Sequence, residues 1–208
     1  RNEDRLELPP ELLCREIAFF LQAGSHSTAN SMVHAMHNVF EWMRQHPKDR
    51  ERLLKDRLFV QRCVHGSFRL HPASPVAWRK PVCPMHLENG TALGLDDRVE
   101  LDLYSANRSP DVFGADAEVF NPHRTVAPGH EPFGLTFGTG VHTCLGRDLD
   151  GGFVPRGAVD PETHQYGIVA QLVRALLEVG ATPDPARPPE RASHTARPNW
   201  GSYPVVFR

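Results

Sequence analysis

Apolar residues recur at helical spacing over the longest patterned stretch of the chain, Pro9 to Gln45. Two prolines suit its first turn, and His46-Pro47 marks its end. Because the stretch is apolar around much of its circumference at Ile17 to Leu21, it predicts a helix through the middle of a domain. Small and hydroxyl-bearing residues from Ala23 to Thr28 interrupt the pattern, which indicates either a bend or space for a ligand.

The rest of the chain alternates shorter elements with a long coil. Residues 53–69 predict one or two helices that end at His71-Pro72, and residues 167–179 predict another helix. Strands are expected at 75–80, 85–88, 98–105 and 203–207, and an ordered coil is expected at 107–132. The pattern predicts a mainly α fold with small β-sheets, arranged as one domain over residues 1–208.

Composition narrows the class of protein. The 208 residues are 40% hydrophobic and 23% charged, as in ordinary soluble globular proteins. A net charge of −2 argues against a nucleic-acid or anionic-membrane partner, and no apolar run reaches the length of a membrane span. With no signal peptide at its start, the chain is expected to be cytoplasmic. Its four cysteines form no C-x-x-C pair, so neither a zinc ribbon nor a disulfide scaffold is indicated.

The most informative motif is FGTGVHTCLG, from Phe137 to Gly146. Gly138, Gly140 and Gly146 are the residue type needed where a backbone takes positive φ or lies close against a flat ligand. Cys144 is expected at the start of a helix, where the positive end of the helix dipole lowers the pKa of a thiol. The motif therefore predicts a thiolate that can bind a metal.

The motif resembles the haem-binding loop of the cytochrome P450 superfamily, F-x-x-G-x-x-x-C-x-G. Order and spacing elsewhere are similar to the C-terminal half of a bacterial member of that superfamily. The other matching segments are Phe68 to Pro72, Ala106 to Pro110 and Phe120 to Arg124. The resemblance implies the C-terminal half of a cytochrome P450 fold, in which residues 151–167 form an insertion-like loop.

The same resemblance implies a cofactor and its ligands. Haem b (iron protoporphyrin IX) would bind with Cys144 as the metal ligand, in a loop that includes Gly138, Gly140 and Gly146. Arg79 and His142 would hold the haem propionates, since buried carboxylates need cationic or hydrogen-bonding partners. Phe137 would shield the sulfur from water.

Two parts of the chain depart from the family pattern. Gly66 stands where the E-x-x-R motif has glutamate, which leaves Arg69 without its helical partner. A backbone carbonyl or a nearby carboxylate is expected to replace that partner, because a buried unpaired guanidinium is costly. On the long helix, His26-Ser27 replaces the distal acid and alcohol. Ser27 can hydrogen-bond a ligand, whereas His26 could act as a general acid, ligate the iron or be structural.

The family's N-terminal half has no counterpart in this chain, which begins at Arg1. We expect a separate chain, a cleaved segment or self-association to cover the long helix. The leading functional hypothesis is a haem-thiolate monooxygenase that oxidises a small organic molecule and has a redox partner protein. A peroxide-using or oxygen-independent enzyme and a non-catalytic helper of a partner enzyme remain alternatives.

Overall fold

Three helices form the first third of the computed structural model, which describes residues 8–207. They are α1 (Pro10–Gln45), α2 (Pro47–Lys55) and α3 (Arg57–Leu70). The first two begin with proline, whose missing N–H is not needed in a first turn. Residues 1–7 and 208 of the expected 1–208 domain lie outside the described residues.

The remaining elements are short. Within residues 8–207, eight strands form four separate two-stranded antiparallel sheets that pair β1 with β4, β2 with β3, β5 with β8 and β6 with β7. The strands are β1 (Val76–Arg79), β2 (Met85–His86), β3 (Ala92–Leu93), β4 (Val99–Asp102), β5 (Thr182–Pro183), β6 (Glu190–Arg191), β7 (Trp200–Ser202) and β8 (Val205–Val206). The helices are α4 (Leu103–Ala106), α5 (Pro110–Phe113), α6 (Arg147–Asp150) and α7 (Ile168–Glu178). The mainly α fold with small sheets is confirmed.

The hydrophobic core lies where the second half of α1 meets α3 and α7. Val39, Val64 and Val173 are fully buried, and Phe68 is 2% exposed. Helix α3 is buried on almost all sides, and its buried residues include the polar side chains of Gln61, His65 and Arg69. This core forms the platform on which the cysteine loop rests.

The first half of α1 does not share in this core. Ile17, Phe19, Phe20 and Leu21 are each more than half exposed. None of the helices within residues 8–207 has the length and apolarity needed to cross a membrane. The whole of α1 was expected to run through the middle of a domain. Among residues 8–207, only its second half does so.

All four predicted strands are shorter in the structure, and the largest difference has a clear cause. The strand expected over 98–105 ends at Asp102, because the Asp102 carboxylate accepts the Ser105 N–H at 2.9 Å and begins α4. The short strands β3, β5, β6 and β7 were missed. Each has only two or three residues, which are too few to give an alternating pattern.

The segment 151–167 projects between α6 and α7 and is anchored on α3. Gln61 Nε2 donates to the carbonyls of Gly151 at 3.0 Å and Phe153 at 3.1 Å. His65 Nε2 also donates to the Gly151 carbonyl, at 2.7 Å, and His164 bonds to the Gln61 side chain. Burial lowers the pKa of His65 to about 4, so this imidazole is neutral near pH 7.

Candidate functional site

The cysteine loop is closed by its own backbone. The Cys144 N–H donates to the Phe137 carbonyl at 2.7 Å. Gly138 has φ +67°, and a Cβ there would lie 2.7 Å from the His142 carbonyl oxygen, so only glycine fits. The Phe137 ring is buried against Phe68, with ring centroids 5.2 Å apart. The loop is thus fixed to α3 at one end while its tip stays at the surface.

The tip of the loop is apolar and carries the thiol. Val141 is 97% exposed, Leu145 is 81% exposed, and Cys144 between them is also exposed. A flat apolar group would cover these side chains and meet the sulfur, so the residues fit a haem. Cys63 is the contrast: it is fully buried, which raises its pKa and suits it to packing.

The relation of Cys144 to the following helix differs from the prediction. Helix α6 starts at Arg147, and its N-cap is Gly146, so Cys144 lies in the turn before the helix. The helix is also only four residues long, because Gly151 and Gly152 lead the chain into the segment 151–167. The expected position at a helix start is therefore wrong by two residues.

Arg79 and His142 lie on separate elements. Arg79 is half-buried at the end of β1, and its Nη1 donates to the Trp78 carbonyl at 2.8 Å. His142 is exposed in the 3-10 turn Gly140–His142. The two side chains do not hydrogen-bond to each other within residues 8–207. Arg79 uses only Nη1 in that bond, so the other N–H groups of its guanidinium could donate to an anionic group. The exposed imidazole of His142 could donate in the same way.

His26 and Ser27 lie on an uninterrupted part of α1. Ser27 Oγ donates to the Ala23 carbonyl at 2.8 Å, a bond that a helix accommodates without breaking. Both residues line an open cleft of about 460 Å³. Ala73 and Arg197 form its opposite wall, where Arg197 Nη1 donates to the Ala73 carbonyl at 2.6 Å. The helix thus continues through the predicted interruption, with a cleft beside it.

The next residue, Thr28, makes a contact that sequence reasoning missed. Its hydroxyl lies 2.9 and 3.0 Å from the two carboxylate oxygens of Asp150 at the end of α6. Burial raises the pKa of Asp150. Because 122 positions separate the partners, no local sequence signal could have revealed this contact.

Arg69 has the replacement partners that were expected. Its Nη1 donates to the carbonyls of Asn107 at 2.7 Å and Ala117 at 2.6 Å, and its Nη2 donates to Val119 at 3.3 Å. Burial lowers the pKa of Arg69 to about 10, which still leaves the guanidinium charged near pH 7. Backbone carbonyls thus replace the missing glutamate.

Comparison with known proteins then decides the family. Residues 16–149 match the family model described as cytochrome P450. The chain belongs to the cytochrome P450 family. It is 31% identical over 149 residues to the cytochrome P450 monooxygenase PikC of Streptomyces venezuelae, covering 71% of this chain and 33% of PikC. It is 29% identical over 160 residues to the cytochrome P450 monooxygenase mpaDE of Penicillium roqueforti, covering 62% of this chain and 18% of that protein.

Solved structures show the same fold. Ligand-free cytochrome P450 TbtJ1 has a TM-score of 0.71 at 22% identity, with 98% of this chain and 47% of that chain covered. CYP154A1 from Streptomyces coelicolor A3(2) has a TM-score of 0.69 at 23% identity, with 100% and 47% covered. This cytochrome P450 chain therefore spans about half the length of these two solved relatives. Membership of the family implies a haem cofactor.

Proposed function

We propose that this chain is the haem-binding part of a cytochrome P450 monooxygenase that acts on a small organic molecule. The observation that carries the proposal is the exposed Cys144 thiol on an apolar, glycine-closed loop tip. In this proposal residues 1–208 form one haem-binding unit that corresponds to the family's C-terminal half, with 151–167 as an inserted loop. The layer that covers α1 comes from another polypeptide segment, and a redox protein supplies electrons.

The cofactor is haem b, which residues of the cysteine loop and Arg79 at the end of β1 would hold. Cys144 is its thiolate ligand, and Gly138, Gly140 and Gly146 let the backbone approach its face. Arg79 and His142 each offer N–H donors to a propionate. When bound, a thiolate-ligated haem supplies the redox chemistry that splits an O–O bond.

The chain itself supplies binding and proton control. His26 and Ser27 line the cleft of about 460 Å³ beside α1, where the substrate is expected to lie. The His26 imidazole has one ring nitrogen that can donate and one that can accept, so it can serve either role towards a ligand in the cleft. Ser27 can turn its hydroxyl from the Ala23 carbonyl towards a ligand.

A second candidate function is peroxide-driven oxidation. The observation that favours it is His26, which stands where the family pattern has a carboxylic acid. An imidazole can protonate a peroxide oxygen directly, as a general acid does. Turnover with hydrogen peroxide alone, lost in His26→Ala, would favour this route over one that needs electron delivery.

The test of the main proposal is spectroscopic. The purified protein should contain haem and, when reduced and treated with carbon monoxide, give the spectrum of thiolate ligation. Cys144→Ser should abolish that spectrum, whereas Cys83→Ser, which changes another exposed cysteine, should leave it intact. Arg79→Ala should weaken haem retention without changing the axial ligand. A protein without haem, or an unchanged spectrum in Cys144→Ser, would refute the proposal.

A further inference from the structure

Arg197 places a cation on the wall of the cleft that His26 and Ser27 also line. Its Nη1 donates to the Ala73 carbonyl at 2.6 Å, which fixes the guanidinium to the wall opposite α1. In the part of the chain that the structure describes, the Arg197 side chain has no other hydrogen-bond acceptor and no ion-pair partner. The N–H groups at Nε and Nη2 are therefore free to donate to a ligand in the cleft.

The position of Arg197 is set by the turn that joins β6 to β7. The Arg197 N–H donates to Thr195 Oγ1 at 3.1 Å, and the Arg197 carbonyl accepts the Asn199 N–H at 2.7 Å. The Ala192 N–H donates to the Asn199 carbonyl at 2.9 Å, which closes the turn. Because the turn is already ordered, binding a ligand at Arg197 costs less conformational entropy than binding at a free arginine.

The charge of the cleft favours an anion. Among residues 8–207, no aspartate or glutamate lines it, and Arg197 is its only arginine or lysine. Apart from His26, its other polar side chains are neutral amides and hydroxyls, namely Gln22, Ser27, Asn30, Ser74 and Asn199. A negatively charged ligand would therefore meet one cation and no carboxylate.

The cleft also has an apolar surface. Phe19 and Ala23 contribute to it from α1, and Ala73 contributes from the opposite wall. Phe19 is 55% exposed, so a ligand that covers its ring would remove apolar area from water. A ligand that matches both features has an apolar body and one anionic end.

A carboxylate is the anionic group that fits best. Its two oxygens match two N–H groups on one edge of a guanidinium, and Arg197 has such an edge free at Nε and Nη2. A phosphate would bring a second negative charge, for which the cleft has no second arginine or lysine among residues 8–207.

We propose that Arg197 makes this cleft select substrates that carry a carboxylate on an apolar body. The idea rests on the proposed function and deepens it, because it names the substrate class of the site beside α1. Arg197 is a specificity-determining residue whose guanidinium binds the carboxylate. The apolar body of the substrate lies against Phe19 and Ala73.

Calorimetric titration of the purified protein with octanoate and octanamide tests the proposal, because the two probes have similar shapes and differ in charge. We expect octanoate to bind about tenfold more tightly at low salt. The preference should shrink as salt is added, because salt screens an exposed ion pair. A purely structural role of Arg197 in the turn would give neither result.

Variants locate the preference at Arg197. Arg197→Gln should remove it, and Arg197→Lys should keep part of it, because an ammonium keeps the charge but lacks the planar edge. Arg50→Gln is the matched control, since it removes an exposed arginine of α2 outside the cleft, and it should leave the preference unchanged. Arg197→Glu should reverse the charge selection and bind octylammonium more tightly than octanoate.

The possible failures are distinguishable. Equal or absent binding of octanoate and octanamide, a preference that survives in Arg197→Gln, or no reversal in Arg197→Glu would overturn the proposal. If the same protein gives the spectrum of thiolate-ligated haem, the haem-thiolate function stands without it. A protein that carries no haem but prefers octanoate through Arg197 would instead refute the proposed function and support the selection of carboxylates.

Discussion

Gly152 and Gly167 face each other across the base of the segment 151–167. A Cβ on Gly152 would lie 2.5 Å from the Gly167 nitrogen, and one on Gly167 would lie 2.6 Å from the Gly152 nitrogen. Both residues have positive φ, +71° and +85°. The two glycines therefore let the backbone that leaves α6 lie directly against the backbone that enters α7. The segment 151–167 begins and ends at one place, and α7 keeps its contacts with the core.

We predict that Gly152→Ala and Gly167→Ala will each lower the free energy of unfolding by about 2–3 kcal/mol, since each adds a backbone clash and a strained φ. Gly157→Ala is the control, because nothing lies within 4 Å of a Cβ there and its φ is not positive. Urea unfolding of the three variants measures the difference. Equal stability of all three would show that the base of the segment is not closed in this way.

Gly66 should accept a side chain without loss. It lies inside α3, where alanine is favoured over glycine by roughly 0.5–1 kcal/mol. A Cβ would lie 3.4 Å from Phe120 Cε2, an ordinary contact distance. Because Arg69 is already bonded to backbone carbonyls, we expect Gly66→Ala to raise the urea midpoint. A lower midpoint would mean that this helix needs glycine at position 66.

The helices α1, α3 and α7 and the cysteine loop could be predicted from sequence because their signals are local. Proline at the start of α1 and His71-Pro72 after α3 mark helix ends through the missing N–H of proline. For Arg69, the sequence predicted only the kind of group that replaces glutamate, namely a backbone carbonyl or a nearby carboxylate. Choosing the Asn107 and Ala117 carbonyls needs the path of the coil that follows α4.

Contacts between distant parts of the chain account for most of what was missed. Thr28 and Asp150 carry no signal on their own, since a threonine in a helix and an aspartate in a short turn are both ordinary. The anchoring of segment 151–167 by Gln61 and His65 is also long-range, with partners 86 to 92 positions apart. Only the fold brings these groups together.

Histidines whose pKa is lowered by burial should make the protein sensitive to acid. Burial lowers the pKa of His34 to about 4, of His65 to about 4 and of His71 to about 3, from an ordinary value of 6.5. His34 and His71 stack with ring centroids 4.3 Å apart, so protonating either places a charge against the other ring. The unfolded chain therefore binds more protons than the folded one between about pH 6.5 and pH 3–4.

Stability should thus be complete above about pH 6.5 and fall as the pH is lowered towards 4. Each unit of pKa difference contributes about 1.4 kcal/mol. Urea midpoints at several pH values measure the slope, which should be shallower in His65→Gln than in the parent. The exposed His194 is the control, and His194→Gln should leave the slope unchanged. A slope that is the same in all three proteins would contradict the prediction.

The first half of α1 should be a site of association in this 208-residue chain. Ile17 is 59% exposed and Leu21 is 69% exposed, and they lie four residues apart on one helical face. Burying each such side chain fully would contribute about 1.5–3 kcal/mol, which favours contact with another polypeptide over contact with water. We expect light scattering to report a mass above 23.3 kDa and an apolar dye to bind.

The double variant Ile17→Lys with Leu21→Lys should reduce both signals. The control is Leu172→Lys on α7, where the side chain is 39% exposed, and it should reduce neither. A stable monomer that binds no dye would show that this face is not an interface.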